Sequence, residues 1–201
     1  MTLIGLDLDN TLIIYDQLFH KVAVEKGLIK ENFPKNKTLI RDKLRSEGHD
    51  KVFTLLQGEI YGKRIKEAEP ADGLIGTLKK LKEMNKKMAI VSHKTRVPYE
   101  GPAYDLHKSA MEWLIDQRIA GDENALIPTE RIFFEPSIEK KVERIKTLKC
   151  TYFVDDLKSV LNKIPENINK VLYDPSGKAA NSEKVVQIMR TWKEGVEIFC
   201  E

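Results

Sequence analysis

The chain has 201 residues, of which 41% are hydrophobic and 32% are charged, a balance that is typical of a globular protein and excludes a disordered one. Its 34 Lys and Arg residues and 31 Asp and Glu residues are interspersed and give a net charge of only +3, which argues against a nucleic-acid partner. Two cysteines exclude a disulfide framework, and no apolar run approaches the ~20 residues that span a bilayer, so we expect a cytoplasmic protein without membrane contact.

The first third of the chain predicts one strand followed by helices. An apolar stretch over Leu3 to Leu8 predicts a strand buried on both faces. Helical patterns follow over Asp16 to Lys26, Lys37 to Glu47 and Asp50 to Tyr61, and each ends at or next to a glycine. We interpret residues 15–69 as a small helical cap inserted after the first strand.

From Pro70 onwards, helices and strands alternate. The predicted helices are Asp72 to Met84 with Asp72 as its cap, Asp105 to Gln117, Ile138 to Leu148 capped by Ser137, Leu157 to Lys163, and Ser182 to Trp192. The predicted strands are Met88 to Val91, Arg131 to Phe134, Thr151 to Val154, and Lys170 to Tyr173. This alternation predicts an α/β fold, a Rossmann-like parallel sheet with helices on both faces, formed by residues 1–14 and 70–201.

Two carboxylates, Asp7 and Asp9, lie at the end of the first predicted strand. Side chains alternate along a strand, so both are expected to face the same side at its carboxyl end, where open α/β sheets bind ligands. Their mutual repulsion is tolerable if a cation lies between them or one carries a proton. Asn10 and Thr11 then form a turn whose hydrogen-bonding groups suit a loop beside an anion. The simpler alternative is an Asp/Asn-rich turn after an ordinary strand.

Other polar residues end the later strands at the same predicted edge of the sheet. They are Ser92, Glu135, Asp155 and Asp156, and Lys140 and Lys141 open the helix that leads to Asp155. Carboxylate oxygens are the ligands that Mg²⁺ prefers, and a lysine with a hydroxyl can hold phosphoryl oxygens. Glu135 has an alternative interpretation as a helix cap or a partner of a lysine. The set as a whole predicts phosphate chemistry that uses Mg²⁺.

Four of these motifs occur in an order that resembles the haloacid dehalogenase-like (HAD) superfamily. They are DLDNT (Asp7 to Thr11), VS (Val91-Ser92), a lysine at the start of a helix, and VDD (Val154 to Asp156). The resemblance spans most of the chain, and the helical insert falls where that superfamily has a cap. It implies a phosphoric monoester phosphatase that acts through an aspartyl-phosphate, with Asp7 as the nucleophile and Asp9 as the acid and base.

The resemblance also implies the substrate and metal ligands. Ser92 would bind the phosphoryl group, with Thr11 beside it, and His93 is either a further substrate contact or simply a polar loop residue. Mg²⁺ would be held by Asp7, the backbone carbonyl of Asp9, Asp156, and Asp155 directly or through water.

Two neighbouring lysines compete for the role of the phosphate-binding lysine. We prefer Lys141, because Ile145 and Leu148 lie four and seven residues later and would place its helix on the sheet in the usual phase. Lys140 is the alternative, and either lysine could instead be a solvated surface charge.

Asp9 also bears on the type of reaction. A dehalogenase of this superfamily lacks an acid there because it has no leaving-group oxygen to protonate, so Asp9 favours a phosphatase. The expected substrate is a small phosphorylated metabolite or nucleotide. A phosphomutase and a catalytically silent binding protein of the same fold are the alternatives, and processing of nucleic-acid ends is less favoured. The sequence predicts neither the oligomeric state nor the substrate itself.

Overall fold

The secondary structure follows the alternation of short apolar runs and amphipathic stretches in the sequence. The structure is a computed structural model, and it describes residues 2–177, 179 and 186–200. The strands are β1 (Leu3–Leu6), β2 (Ile13–Ile14), β3 (Glu69–Pro70), β4 (Lys87–His93), β5 (Ala120–Gly121), β6 (Ile127–Pro128), β7 (Ile132–Glu135), β8 (Tyr152–Asp155), β9 (Asn169–Tyr173) and β10 (Val186–Met189). The helices are α1 (Asp16–Glu25), α2 (Lys37–Ser46), α3 (Asp50–Tyr61), α4 (Leu74–Glu83), α5 (Leu106–Asp116), α6 (Ile138–Thr147), α7 (Lys158–Leu161) and α8 (Gly195–Ile198), with 3-10 turns at Ile65–Glu67, Thr129–Arg131 and Trp192–Glu194. Within these described ranges, no helix combines the length and apolarity that crossing a membrane requires.

The chain divides into two compact units. The first unit comprises residues 1–13, 70–94 and 117–201, and the second comprises residues 14–69 and 95–116. The second unit thus takes in residues 95–116, which the sequence analysis assigned to the core. Its role as a cap stays a prediction.

Six strands of the first unit form one parallel sheet in the order β10-β9-β8-β1-β4-β7. The alternation of helices and strands predicted such a sheet, and the structure confirms it. The first strand, β1, lies between β4 and β8, so the chain leaves β1 toward one side of the sheet and later returns on the other side. Ligands of open α/β sheets bind at the carboxyl ends of the strands where the order reverses in this way, which is the end of β1.

Helices cover both faces of this sheet. On one face, Val142 of α6 packs in the same buried cluster as Phe153 of β8. On the other face, the ring of Tyr152 lies edge-on to Phe199, with 5.4 Å between the centroids. Neighbouring residues of a strand point in opposite directions, so β8 contributes one aromatic ring to each core. Gly5 of β1 makes room for this packing, because a Cβ there would lie 2.5 Å from the Phe153 ring.

The helix starts agree with the sequence at α6 but differ at α4. Ser137 caps α6 as predicted, and its hydroxyl accepts a hydrogen bond of 3.3 Å from the backbone N–H of Lys140. The prediction that Asp72 caps α4 was wrong. The residue before α4 is Gly73, which has a φ of +75° and no side chain to act as a cap. Glycine adopts a positive φ with little strain, so a tight backbone turn at Gly73 precedes α4 in place of a side-chain cap.

The predicted helix from Ser182 to Trp192 was wrong over its described part, because residues 186–189 form the edge strand β10. Residues 182–185 lie outside the described residues. Strand β10 pairs in parallel with β9, with Val186 opposite Lys170 and Met189 opposite Tyr173. A short apolar run fits both periodicities, and here the open edge of β9 supplied hydrogen-bond partners for a strand.

The second unit contains the three helices predicted after the first strand, α1 to α3, together with α5. Aromatic side chains form part of its interior. The Phe19 ring stacks on Phe53 at a centroid distance of 5.6 Å, and Tyr61 meets Phe19 edge-on at 6.2 Å. Trp113 of α5 is fully buried, and its indole N–H donates to the carbonyl of Ala68 at 2.9 Å.

Candidate active site

The candidate site begins at the carboxyl end of β1. The register pairs Leu6 with Ile90 of β4 and with Val154 of β8, so the residues that follow these strands meet at one edge. The backbone N–H of Asp7 donates to the carbonyl of Val154 at 2.9 Å and continues the ladder by one residue. Asp7 and Asp155 are thereby held as neighbours, and both are buried.

A buried lysine joins these two carboxylates. The Nζ atom of Lys141 donates to Asp7 Oδ1 at 2.5 Å and to Asp155 Oδ2 at 2.6 Å, and only 2% of the residue is exposed. The first turn of α6 positions it, because the Ser137 cap sets where that helix begins. Its neighbour Lys140 is exposed and pairs with Glu143 at 2.8 Å. Of the two lysines that the sequence left open, Lys141 is the one that reaches the acidic cluster.

Three carboxylates at this edge are close enough to hold one cation. An oxygen from each of Asp7, Asp155 and Asp156 lies within 4.8 Å of the others. Such hard oxygen donors suit Mg²⁺, which usually binds one or two carboxylates and keeps several waters. The carboxylates outnumber the Lys141 ammonium, and a divalent cation would offset that excess of negative charge. The donor set therefore fits the metal that the sequence predicts.

Burial and charge shift the protonation equilibria of this cluster. Burial raises the pKa of Asp7 to about 7, against the opposing effect of the Lys141 ammonium. For Lys141, burial alone would lower the pKa, but the Asp7 and Asp155 carboxylates outweigh it and raise the pKa above its ordinary value. Lys141 therefore stays charged, and a cation bound beside Asp7 would favour the ionised carboxylate there as well.

Ser92 places an unsatisfied hydroxyl at the end of β4. The residue is 1% exposed, and within the described part of the chain its Oγ atom has no hydrogen-bond partner. A buried hydroxyl without a partner costs free energy, so native structures rarely keep one without a reason. Ser92 lies on the strand next to β1, at the edge that carries Asp7. Its hydroxyl is thus a donor available to a ligand.

Asp9 is not among the three residues whose carboxylate oxygens lie within 4.8 Å of one another, but its charge is near enough to contribute to the raised pKa of Asp7. Strand β1 ends at Leu6, and Asn10 then turns the chain with a φ of +61°. The Asp9 carboxylate instead accepts a hydrogen bond of 2.7 Å from the Nζ atom of Lys94.

Thr11 contacts Asp7 through its side chain. Its hydroxyl donates to Asp7 Oδ2 at 3.3 Å, and the residue is fully buried. Its backbone carbonyl accepts a hydrogen bond of 3.0 Å from the indole N–H of Trp192, which is also fully buried. The turn after β1 is thus tied to the C-terminal part of the chain.

The remaining candidates, His93 and Glu135, lie at the ends of β4 and β7. His93 is exposed at the last position of β4, opposite Glu135 in the register. The Glu135 carboxylate accepts a hydrogen bond of 2.7 Å from Arg144 of α6. A helix cap and a lysine partner were the alternatives that the sequence left open for Glu135, and the structure pairs it with an arginine.

Sequence reasoning missed Lys94 and the polar role of Trp192. Lys94 follows a buried strand at the candidate edge, two residues after Ser92, and that position was a usable signal. Trp192 gave no signal beyond its apolar character, because its partner Thr11 is 181 residues away.

Comparisons with known proteins identify the fold that carries this geometry. No protein-family profile and no curated protein matches the sequence. Among solved structures, a protein described as a dehalogenase is 13% identical with a TM-score of 0.63, covering 100% of this chain and 98% of its own. The HAD-hydrolase YfnB from Bacillus subtilis, bound to magnesium, is 15% identical with a TM-score of 0.57, covering 98% of both chains. A HAD phosphatase from Thermococcus onnurineus is 15% identical with a TM-score of 0.51, covering 98% of this chain and 97% of its own.

These similarities extend over nearly the full length of each chain, and they agree with the parallel six-stranded sheet. The chain therefore has the fold of the haloacid dehalogenase-superfamily hydrolases, the fold that its four motifs predicted.

Proposed function

We propose that the protein is a Mg²⁺-dependent phosphatase that hydrolyses a small phosphate monoester through an aspartyl-phosphate on Asp7. The observation that carries this proposal is the buried Lys141 ammonium, which lies between Asp7 and Asp155 at the carboxyl end of β1. A carboxylate beside a fixed ammonium can attack an anionic phosphorus centre, because the ammonium offsets the charge on the phosphoryl oxygens. The HAD phosphatase that shares this fold supports the same reaction class.

The proposed reaction has two steps. First, an Asp7 oxygen attacks phosphorus, the bond from phosphorus to the ester oxygen breaks, and the released oxygen takes a proton from Asp9. Water then attacks the phosphorus of the aspartyl-phosphate and gives a proton to Asp9. The bond between phosphorus and the Asp7 oxygen breaks, which releases inorganic phosphate and restores both side chains.

The remaining site residues would bind the phosphoryl group. The Ser92 hydroxyl has no other partner among the described residues and would donate to a phosphoryl oxygen. Lys141 would donate to another, and Thr11 would keep the attacking carboxylate oriented through its hydrogen bond to Asp7. His93 is exposed at the end of β4 and is a candidate contact for the rest of the substrate.

The same cluster would hold the metal. Asp7, Asp155 and Asp156, with the backbone carbonyl of Asp9, would be the protein ligands of Mg²⁺. When bound, the ion offsets the repulsion between a carboxylate nucleophile and an anionic phosphate. The magnesium-bound YfnB, which has the same fold, supports this choice of metal.

The test is hydrolysis of 4-nitrophenyl phosphate by the wild type and by Asp7→Asn, each with and without Mg²⁺. We expect turnover by the wild type that depends on Mg²⁺ and falls at least ~10³-fold in Asp7→Asn, because the amide is not a nucleophile. A mass increase of the wild type after reaction with substrate and acid quenching would locate the phosphoryl group on the protein.

A matched control is Asp174→Asn. Asp174 follows β9 as Asp7 follows β1, but it pairs with Arg190 at 3.3 Å and lies outside the acidic cluster. This variant should hydrolyse the ester at close to the wild-type rate. Equal activity of Asp7→Asn and the wild type would remove Asp7 as the nucleophile.

A dehalogenase is the second candidate, favoured by the structural similarity to a protein described as one. A halide needs no proton when it leaves, so that reaction gives Asp9 no task. Release of chloride from a 2-chloroalkanoic acid distinguishes the two. We expect none, and chloride release that Asp7→Asn abolishes would replace the phosphatase proposal.

A further inference from the structure

Lys94 is a buried lysine at the candidate site to which the proposed mechanism has given no role. It follows the last residue of β4, and its backbone N–H donates to the carbonyl of Glu135 at 2.9 Å. This hydrogen bond extends the pairing of β4 with β7 and fixes the point from which the Lys94 side chain starts. The side chain is only 2% exposed, and its Nζ atom lies 2.7 Å from Asp9 Oδ2.

Burying an ammonium costs free energy unless it is paired, so this position needs a compensating partner. The partner is the carboxylate that we propose as the proton donor to the leaving group. The Asp9 side chain is 18% exposed, so one side of this pair is accessible from solution. A charge-assisted hydrogen bond from an immobile donor restricts the rotamers of the Asp9 carboxylate.

The structure separates the aspartates that follow β1 and end β8 into two groups. The carboxylate oxygens of Asp7, Asp155 and Asp156 lie within 4.8 Å of one another, and Lys141 donates to Asp7 and Asp155, whereas the Asp9 carboxylate accepts a hydrogen bond from Lys94. A lysine in each group means that the metal-binding acids and the remaining acid are held by different cations. Without Lys94, the Asp9 side chain would lose the contact that draws it away from the cluster.

We propose that Lys94 is a positioning residue that holds the Asp9 carboxylate on the leaving-group side of the site. The inference rests on the proposed phosphatase function. Lys94 transfers no proton itself. Its loss should impair the departure of leaving groups that need a proton, and it should spare those that leave readily as anions.

The experiment compares kcat/KM for phenyl phosphate and 4-nitrophenyl phosphate, two esters of similar size. Nitrophenolate leaves without protonation, whereas phenolate is a poorer leaving group and benefits from a proton. For Lys94→Met we expect a loss with phenyl phosphate that is at least ~10-fold greater than the loss with 4-nitrophenyl phosphate, since a positioned acid contributes ~10²-fold or more. Lys94→Arg should recover most of this difference, because its guanidinium can also donate to Asp9.

Lys170→Met is the matched control. Lys170 is a buried lysine of β9 in the same sheet, and it is not part of the acidic cluster. Its removal should change kcat/KM for the two esters by the same factor. An equal loss for both esters in Lys94→Met as well would show a merely structural role and would overturn the proposal.

A second measurement needs no substrate, so it separates a failure of this proposal from a failure of the phosphatase function. Thermal unfolding is recorded for the wild type, Asp9→Asn, Lys94→Met and the double variant in metal-free buffer. If the two side chains hold each other, Asp9→Asn should lower Tm in the wild-type background and leave it unchanged or raise it in the Lys94→Met background. The same Tm change in both backgrounds would overturn the pairing, whatever the enzyme hydrolyses.

Discussion

Two groups of ion pairs in this protein use the same chemistry in opposite surroundings. In the first unit, Lys141 lies between Asp7 and Asp155, and the three side chains are 3%, 8% and 0% exposed. In the second unit, Arg64 pairs with Glu25 and with Glu67, whose side chains are 45% and 37% exposed. The distances are comparable, but the surroundings differ, and so do the expected consequences of breaking each group.

Desolvation accounts for the difference. Moving charges out of water costs several kcal/mol per ion, and the attraction between them repays that cost only while every partner is present. An exposed pair was never fully desolvated, so removing a partner leaves a charge that water can solvate. Removing one partner from the buried group at the candidate site should therefore lower the free energy of unfolding strongly, whereas the exposed group contributes modestly to stability. Three predictions test this contrast.

The largest expected effect is that of Lys141→Met. The substitution keeps the volume of the side chain but leaves the buried Asp7 and Asp155 carboxylates without their ammonium. We expect a loss of ~3 to 5 kcal/mol in the free energy of unfolding, measured by urea denaturation in metal-free buffer. Addition of Mg²⁺ should stabilise this variant more than the wild type, because the cation would replace part of the missing positive charge.

Lys140→Met is the control for that measurement, since Lys140 is exposed and pairs across the helix surface with Glu143. It should cost less than ~1 kcal/mol. A similarly small loss for Lys141→Met would mean that burial does not set the strength of the buried group.

A smaller effect of opposite sign is expected for Ser92→Ala. The Ser92 hydroxyl is buried and has no hydrogen-bond partner among the residues that the structure describes, so its removal should raise the free energy of unfolding by up to ~1 kcal/mol. Turnover of 4-nitrophenyl phosphate should fall ~10²-fold, because a donor to the phosphoryl group is lost. The two measurements together distinguish a ligand-binding hydroxyl from a structural one.

Ser137→Ala provides the contrast for that variant. The Ser137 hydroxyl accepts a hydrogen bond at the start of α6. Its loss should lower the free energy of unfolding by ~1 kcal/mol, the usual cost of removing such a cap. If Ser92→Ala were destabilising to the same degree, the hydroxyl of Ser92 would have a structural partner in solution.

We expect the smallest change in the free energy of unfolding when the exposed ion pairs of Arg64 are broken. Hydrogen bonds from Arg64 and Lys21 lower the pKa of Glu67 from 4.5 to about 2. Since the folded-state pKa lies below the unfolded one, this stabilisation is complete above pH 4.5 and is lost as the pH falls toward 2. Glu67→Gln should therefore cost at most ~1 kcal/mol at neutral pH and nothing near pH 2, and added salt should reduce the cost. Urea denaturation at the two pH values measures it, and a cost that persists at low pH would exclude the ion pairs as its source.

The predictable part of the site consists of residues that local order places at strand ends. Asp7, Ser92 and Asp155 each follow or end a buried parallel strand, so the period of two and the common direction of the strands bring them to one edge. Lys141 could be preferred over Lys140 because the apolar residues of α6 set which of its faces meets the sheet. These positions follow from the periodicity of short segments and from the common direction of parallel strands.

Other features depend on contacts that no local pattern encodes. The helix predicted up to Trp192 became strand β10 because the edge of β9 offered backbone partners to residues 186–189. The Asp9 carboxylate accepts a hydrogen bond from Lys94, which is 85 residues away in sequence, so no local pattern around Asp9 could indicate this pairing.

The amino-acid sequence by itself determined the parallel α/β architecture and the edge at which acids, hydroxyl and lysine collect, because hydrophobic periodicity and strand direction are local properties. Only the tertiary structure decided how those charges are shared out: Lys141 to Asp7 and Asp155, and Lys94 to Asp9. A buried charge pairs with whichever opposite charge the completed fold brings within hydrogen-bonding distance. The reason is that an unpaired charge costs the most free energy in the buried interior.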